Sequence, residues 1–333
     1  MVWPASACCS IWNGRDRPCS DRPVGPVGET GRVIAPVPEA APGQLGWTTV
    51  DLPVHPPFPL APAVTFLAGH ALPGLETVLT DERGVTRVER LLPVEGELVQ
   101  LRLTLGPDAV HLEHTAPPGE AARRTVAEVH RWLNLDLEPA RLLADLGRDP
   151  TIGDLIRARP GLRMIGHPDG YEAAVMTVLG QQVSVAACRT FGTRLARAFG
   201  SAHPSGLWAF PAAGVLAGIT AQDLQAEVRI TNARARTVLA VATACADGLR
   251  IDAEGDHGEI RRHLLALPGV GPWTVDYLAV RALGDRNAFP VGDLVLRRAM
   301  GVDTPAQASV MGRAWEPWRA YALIHLWGRA LGL

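Results

Sequence analysis

The sequence predicts an α+β fold, a small antiparallel sheet domain followed by an all-helical region, and two changes of texture carry that prediction. From residue 47 to about residue 118, short β-branched runs alternate with turn residues, the pattern of strands joined by tight connections. Beyond residue 118 the apolar positions recur three and four apart, the spacing that places them on one face of a helix. A chain of 333 residues that is 47% hydrophobic has enough apolar side chain for more than one core.

Residues 1–45 are rich in Pro, Gly and Ala and show no apolar period, as in Asp21-Arg-Pro-Val-Gly-Pro-Val-Gly-Glu29, so a disordered leader is expected there. Strands are predicted over 47–52, 85–88, 97–105 and 109–113. Between the first two, residues 61–70 have the period of a helix packed on one face of that sheet. Helices follow over 127–137, 171–199, 233–246 and 310–331, and no longer repeat suggests a solenoid. The domain plan is therefore a leader over 1–45, a sheet domain over 46–120 and a helical region over 121–333.

Composition excludes several classes. The net charge of -2 and pI near 6.6 rule out a globally basic nucleic-acid binder, so any DNA contact must be local. No apolar run is long enough to cross a bilayer, and the first residues lack a basic stretch followed by an apolar one, so a cytoplasmic protein is expected. The cysteines Cys8, Cys9, Cys19, Cys188 and Cys245 are odd in number and scattered, which offers no disulfide framework. The early three lack a fourth ligand at a zinc-finger spacing, and the last two are expected to pack. Every basic side chain other than histidine is arginine, because the chain contains no lysine.

The most informative stretch is Leu264-Leu-Ala-Leu-Pro-Gly-Val-Gly-Pro-Trp-Thr-Val-Asp-Tyr-Leu-Ala-Val-Arg281. One helix ends at Leu267-Pro268, Gly269 and Gly271 form a tight turn, and Pro272 opens the next helix at a position proline tolerates. Such a hairpin removes side chains from the turn and leaves unpaired N–H groups aimed at an anion, so Gly269, Gly271, Pro272 and Thr274 are candidate contacts for a DNA phosphate. Arg297, with Arg281 and Arg298, is a basic candidate for the same backbone. The bland reading is a glycine turn between two packed helices. Further on, Asp293 follows a Pro-Val-Gly turn and precedes an apolar-periodic helix, where an aspartate can serve simply as an N-cap.

Taken together, the two elements resemble the helix-hairpin-helix (HhH-GPD) DNA glycosylase superfamily, in which Leu-Pro-Gly-Val-Gly precedes an essential aspartate. Within it the sequence is similar to the AlkA type, the DNA-3-methyladenine glycosylases II. The likeness extends over Pro56-Pro-Phe-Pro59, Phe66-Leu-Ala-Gly-His-Ala-Leu-Pro-Gly-Leu-Glu76, Gly180-Gln-Gln-Val-Ser184, Trp273 and Trp315-Glu-Pro-Trp-Arg-Ala-Tyr-Ala-Leu-Ile-His-Leu-Trp327. The resemblance implies an HhH-GPD core behind an amino-terminal sheet domain, and duplex DNA carrying alkylated bases as the partner of a monomer. Its product would be an abasic site for a downstream endonuclease.

The resemblance also assigns roles. Cleavage of an N-glycosidic bond builds positive charge on the sugar, which a nearby carboxylate stabilises, so Asp293 is the expected catalytic group, either holding that charge or aligning a water. Trp273, Tyr277, Trp327 and Phe58 are expected to form an aromatic pocket for cationic, N-alkylated bases. A flipped base leaves a gap in the duplex, which Gln182, with Gln181 beside it, would fill, although many relatives place an apolar wedge there. The carbonyls of Leu265, Leu267 and Val270 are candidate ligands for a structural Na+ or K+, and no other cofactor is expected. Lysine-dependent lyase chemistry is closed to a chain without lysine, and no cysteine follows Cys245 to hold an iron-sulfur cluster. His167 and His325 suit acid-base work by type, but packing is the expected role for His325 within its apolar helix. Two alternatives stay open: a glycosylase for another lesion such as deaminated purines, and a noncatalytic hairpin protein that only grips phosphates.

Overall fold

A computed structural model describes residues 46–330; the expected leader over 1–45, with Cys8, Cys9 and Cys19, lies outside the described residues. Five strands, β1 (Thr48–Pro53), β2 (Glu76–Thr80), β3 (Thr86–Val94), β4 (Glu97–Leu105) and β5 (Ala109–His114), form one antiparallel sheet in the order β1-β5-β4-β3-β2. The β4 register against β3 pairs Leu103 with Val88 and Leu101 with Arg90, so alternate residues share a face. Helix α1 (Leu60–His70) and helix α2 (Glu120–Leu133) cover that face, and Leu67, Val88, Leu103, Leu112, Val129 and Trp132 lie in one buried cluster. Strand β2 has no counterpart in the sequence reading, since Glu76-Thr-Val-Leu-Thr80 is short and mostly half-buried or exposed.

The core on the sheet continues past residue 120. Val129, Trp132 and Leu133 of α2, then Leu135 and Ile165, belong to it, so the texture change near residue 118 marks a change of secondary structure within a packing unit. Asn134, in a left-handed conformation (φ 52°), ends α2.

Twelve further helices, counting only α-helices among the described residues, build the second unit: α3 (Pro139–Leu146), α4 (Gly153–Ala158), α5 (Gly170–Gly180), α6 (Val185–Phe199), α7 (Ala213–Ala217), α8 (Ala221–Val228), α9 (Asn232–Ala246), α10 (His257–Ala266), α11 (Pro272–Arg281), α12 (Leu294–Met300), α13 (Pro305–Gly312) and α14 (Arg319–Ala330). Helix α5 is its axis. Nearly every side chain on it is buried, and a Cβ on Gly170 would fall 1.7 Å from the Ile251 carbonyl oxygen.

Two long helices expected from periodicity are each broken. The stretch 171–199 divides at Gln181–Ser184, where Ser184 caps α6 by accepting the Ala187 N–H at 3.2 Å. The stretch 310–331 divides around Glu316-Pro317, with a short 3-10 turn at Arg313–Trp315 before it. Apolar spacing persists across both breaks, so periodicity alone runs the helices together.

Candidate active site

Helices α10 and α11 form the predicted hairpin. Gly269 has φ 82°, a value that favours glycine, and an added Cβ would lie 2.1 Å from the Thr237 hydroxyl, so this turn admits no other residue without displacement. Pro272 occupies the first turn of α11. Pro268, Gly269 and Pro272 are exposed, as is Leu265, so the tip of the hairpin faces solvent. Inside it Arg261 is ion-paired with Asp276, which holds the two helices together.

Thr274 does not share that surface. It is buried, and its hydroxyl accepts a hydrogen bond from Gln181 Nε2 at 3.3 Å. The same Gln181 nitrogen donates to the Gly269 carbonyl at 3.2 Å, and Arg234 Nη2 donates to the Gln181 carbonyl at 2.5 Å. Gln181 is thus consumed in tying the α5–α6 loop to the hairpin. Gln182 is exposed and left-handed (φ 57°), so the adjacent pair expected to act together is split between an anchor and a projecting side chain.

Asp293 caps α12: its Oδ1 accepts the Leu296 N–H at 2.7 Å. The bland reading of this residue is therefore correct as far as it goes. Two further donors set the aspartate apart from a plain cap. Trp273 Nε1 donates to Oδ2 at 2.9 Å and Trp327 Nε1 to Oδ1 at 3.2 Å. The carboxylate is 1% exposed, and burial raises its pKa above the ordinary value while the Leu296, Trp273 and Trp327 N–H groups pull it back. The Val295 N–H adds to these donors, so backbone and indole groups together hold the carboxylate in place.

The rings around it form a cluster from two helices, α11 and α14. Trp273 and Tyr277, one helical turn apart, stack with centroids 5.1 Å apart and planes 16° apart. Trp327 of α14 lies 6.3 Å from Tyr277 and tilted by 43°. All three are half-buried. The other tryptophans of the carboxy-terminal motif are structural: the Trp315 indole donates to Asp149 at 3.1 Å and the Trp318 indole to Asp145 at 2.7 Å.

Phe58 is not in this cluster. It is 4% exposed within the core of the sheet domain, beneath the Arg163 guanidinium, because its segment runs along that core before α1 begins. Phe66 is the ring that α1 delivers instead. It lines, together with Tyr277, a cavity of about 90 Å³, and it stacks on His70 at 4.1 Å. Nothing in the sequence showed that this end of α1 reaches the helical unit.

The basic candidates also move. Arg281 is buried and donates to the Gly166 carbonyl at 3.1 Å, far from solvent. Arg297 is half-buried and bonded through Nη1 to the Asp303 carbonyl, closing its own helix end, while Arg298 is exposed. His325 is fully buried, and burial pushes its pKa down to about 4, in keeping with packing. His167 lines the cavity, with Nδ1 accepting the Asp169 N–H at 3.2 Å.

Beside the cavity, sequence reasoning missed an ion cluster. Arg90 of β3 pairs with Glu172 of α5 at 2.7 Å and with Glu76 at 3.4 Å, joining the two units; all three are largely or fully buried. Burial opposes ionisation of Glu172, yet Arg90 and His167 together hold its carboxyl down at about 2.

Residues 49–169 match the AlkA N-terminal domain, and residues 175–319 match the HhH-GPD superfamily of base excision DNA repair proteins. The chain is 31% identical over 281 residues to DNA-3-methyladenine glycosylase 2 of Escherichia coli, covering 82% of this chain and 94% of that one. It belongs to the AlkA-type DNA glycosylase family. A member from Mycobacterium tuberculosis described as a "Probable bifunctional transcriptional activator/DNA repair enzyme AlkA" is 37% identical over 298 residues. That match takes in 87% of this chain and 58% of the relative, so the chain spans little more than half that relative's length. The family fold is seen again in the 3-methyladenine DNA-glycosylase of Archaeoglobus fulgidus, at 17% identity with a TM-score of 0.71 over 84% of this chain and 98% of that one. The α+β architecture expected from the sequence, a small five-stranded sheet before an HhH-GPD core, is the family's.

Proposed function

We propose that the protein is a monofunctional DNA-3-methyladenine glycosylase II, hydrolysing the bond between deoxyribose and N-alkylated bases in duplex DNA. The observation that carries this is the Asp293 carboxylate, buried, held by two indole N–H groups and flanked by Trp273, Tyr277 and Trp327. A helix cap alone needs neither indole.

The target base swings out of the duplex and lies against the aromatic faces, which favour a cationic ring. As the C1′–N bond breaks, its electron pair leaves with the base, neutralising a cationic leaving group, and positive charge develops over C1′ and O4′. Asp293 stabilises that charge electrostatically and positions the water that attacks C1′. The water's proton passes to the carboxylate or to solvent. With no lysine in the chain, no side chain offers the amine that a Schiff-base lyase requires.

Gly269, Gly271 and Pro272 present the hairpin to a DNA phosphate, and Gln182 enters the gap left by the flipped base. The carbonyls of Leu265, Leu267 and Val270 lie at the carboxy-terminal end of α10, where negative partial charge gathers, and suit Na+ or K+; the Leu267 oxygen also accepts the Val270 N–H at 3.1 Å. That ion would add positive charge facing the phosphate. A monomer on DNA in the cytoplasm, handing its abasic product to an endonuclease, completes the reading. The alternative of a noncatalytic grip is disfavoured by a buried carboxylate that such a protein would not need.

The test is direct. Purified protein incubated with methylated duplex releases free 3-methyladenine and leaves a strand that breaks only after hot alkali. Absence of release sinks the proposal, and a borohydride-trapped covalent adduct sinks the monofunctional claim.

A further inference from the structure

Arg281 lies two helical turns beyond Trp273 and one beyond Tyr277, on the same face of α11. It is 7% exposed, with its guanidinium carbon 4.4 Å from the Phe66 ring centroid and 5.8 Å from that of Tyr277. Its five N–H donors lie in the plane of the guanidinium. One of them, Nη2, meets the Gly166 carbonyl at 3.1 Å. Nε is buried and has no acceptor. The carboxylates that line the same cavity, Glu76 and Glu172, are committed to Arg90. The neighbouring His70, which burial and Arg281 push down to about 3, is neutral and brings no negative charge.

A buried cation with an idle donor is costly unless something supplies an acceptor. The cavity it lines is shared with Tyr277, a ring of the proposed base pocket, and with Phe66. We propose that Arg281 is a specificity-determining residue of that pocket, whose Nε–H recognises neutral lesion bases presenting a carbonyl oxygen, such as a deaminated purine. This rests on the glycosylase reading above and assigns to one side chain the recognition of a neutral class of base beside the N-alkylated ones. The same positive charge works against a cationic base, because Tyr277 then carries a cation on one side while a second is offered to it. Aromatic stacking attracts the cationic purines and Arg281 opposes them, so the pocket takes both classes.

Arg281→Met preserves length and apolar packing while removing the donor and the charge. Loss of one hydrogen bond from a charged group lowers kcat/KM for a duplex bearing one hypoxanthine by about 10- to 100-fold. Release of 3-methyladenine from methylated DNA rises in the same variant, so the ratio of the two rates shifts by more than about tenfold. Arg281→Lys retains the charge without Nε: hypoxanthine release stays low and 3-methyladenine release does not rise. A near-UV circular dichroism spectrum establishes that each variant is folded, and if the Met variant is not, the Lys variant decides. Equal loss on both substrates, or full hypoxanthine release by the Lys variant, overturns the assignment. Wild-type protein that releases 3-methyladenine but no hypoxanthine overturns it too, leaving the glycosylase reading intact; release of neither base overturns both.

Discussion

Replacing Trp273 by Phe keeps a ring against Tyr277 and deletes the N–H that donates to Asp293 Oδ2 at 2.9 Å. A hydrogen bond to a charged group contributes about 1.5–3 kcal/mol, which the ionised carboxylate loses in the variant, so the carboxyl titrates higher. The sign follows from which form the donor favours: the indole stabilises the ionised carboxylate, and removing it favours the protonated acid. Asp293 already sits above its ordinary value through burial, so the loss pushes it further in the same direction. Single-turnover base release measured from pH 4 to pH 9 reads this out. The acid limb of the profile moves to higher pH, giving a loss of up to about 10- to 100-fold near the old midpoint and a much smaller loss at pH 8. A profile lowered by one factor at every pH, with its midpoint unmoved, would show that the indole acts only by holding the base and would refute the electrostatic argument.

Gly269→Ala forces a Cβ into the Thr237 hydroxyl and a side chain onto φ 82°, so duplex affinity measured by fluorescence anisotropy falls; Thr237→Ala in the same chain restores it only partly, since the φ penalty remains. Gln182→Ala slows release from duplex while leaving release from a single-stranded lesion nearly unchanged, because only the duplex has a gap to fill. Glu172→Gln removes the nearer of the two carboxylates that pair with Arg90, leaving only Glu76 at 3.4 Å, and costs up to about 3–5 kcal/mol by chemical denaturation at pH 7. Because the Glu172 pKa is depressed to about 2 from 4.5, its contribution is present above 4.5 and lost as pH falls towards 2, where variant and wild type converge.

Much of this architecture is visible in residue order, for reasons that differ by element. Strand β5 alternates along its length, and β4 does so from Leu101 to Leu105, because one face meets the core, whereas β2 is too short and too exposed to carry a pattern. The α5–α6 break was invisible because Gln181–Ser184 interrupts the helix without interrupting apolar spacing. At the site, the hairpin turn and a cap at Asp293 were legible through local rules, whereas the roles of Asp293, Trp273 and Tyr277 came from the resemblance to the glycosylase family. The basic character of Arg281 suggested a surface phosphate contact, and only packing shows it buried one turn beyond Tyr277. Phe66 and Arg90 come from the sheet domain, and their approach to α5 and α11 depends on how two units dock, which no short-range pattern encodes. Thr274 follows the same logic: its place beside the turn was readable, but its engagement by Gln181 was not.

The central claim is that Asp293 is a reacting group as well as a cap. Asp293→Asn retains an acceptor for the Leu296 N–H and changes the side chain by little volume, but removes the negative charge and turns an amide N–H₂ towards an indole donor. Single-turnover release of 3-methyladenine from methylated duplex at pH 7.5, with protein in excess, is predicted to fall by at least about 10²–10³-fold while duplex affinity changes little. Release within about threefold of wild type would contradict the account, reducing Asp293 to the helix cap that its place in the sequence first suggests.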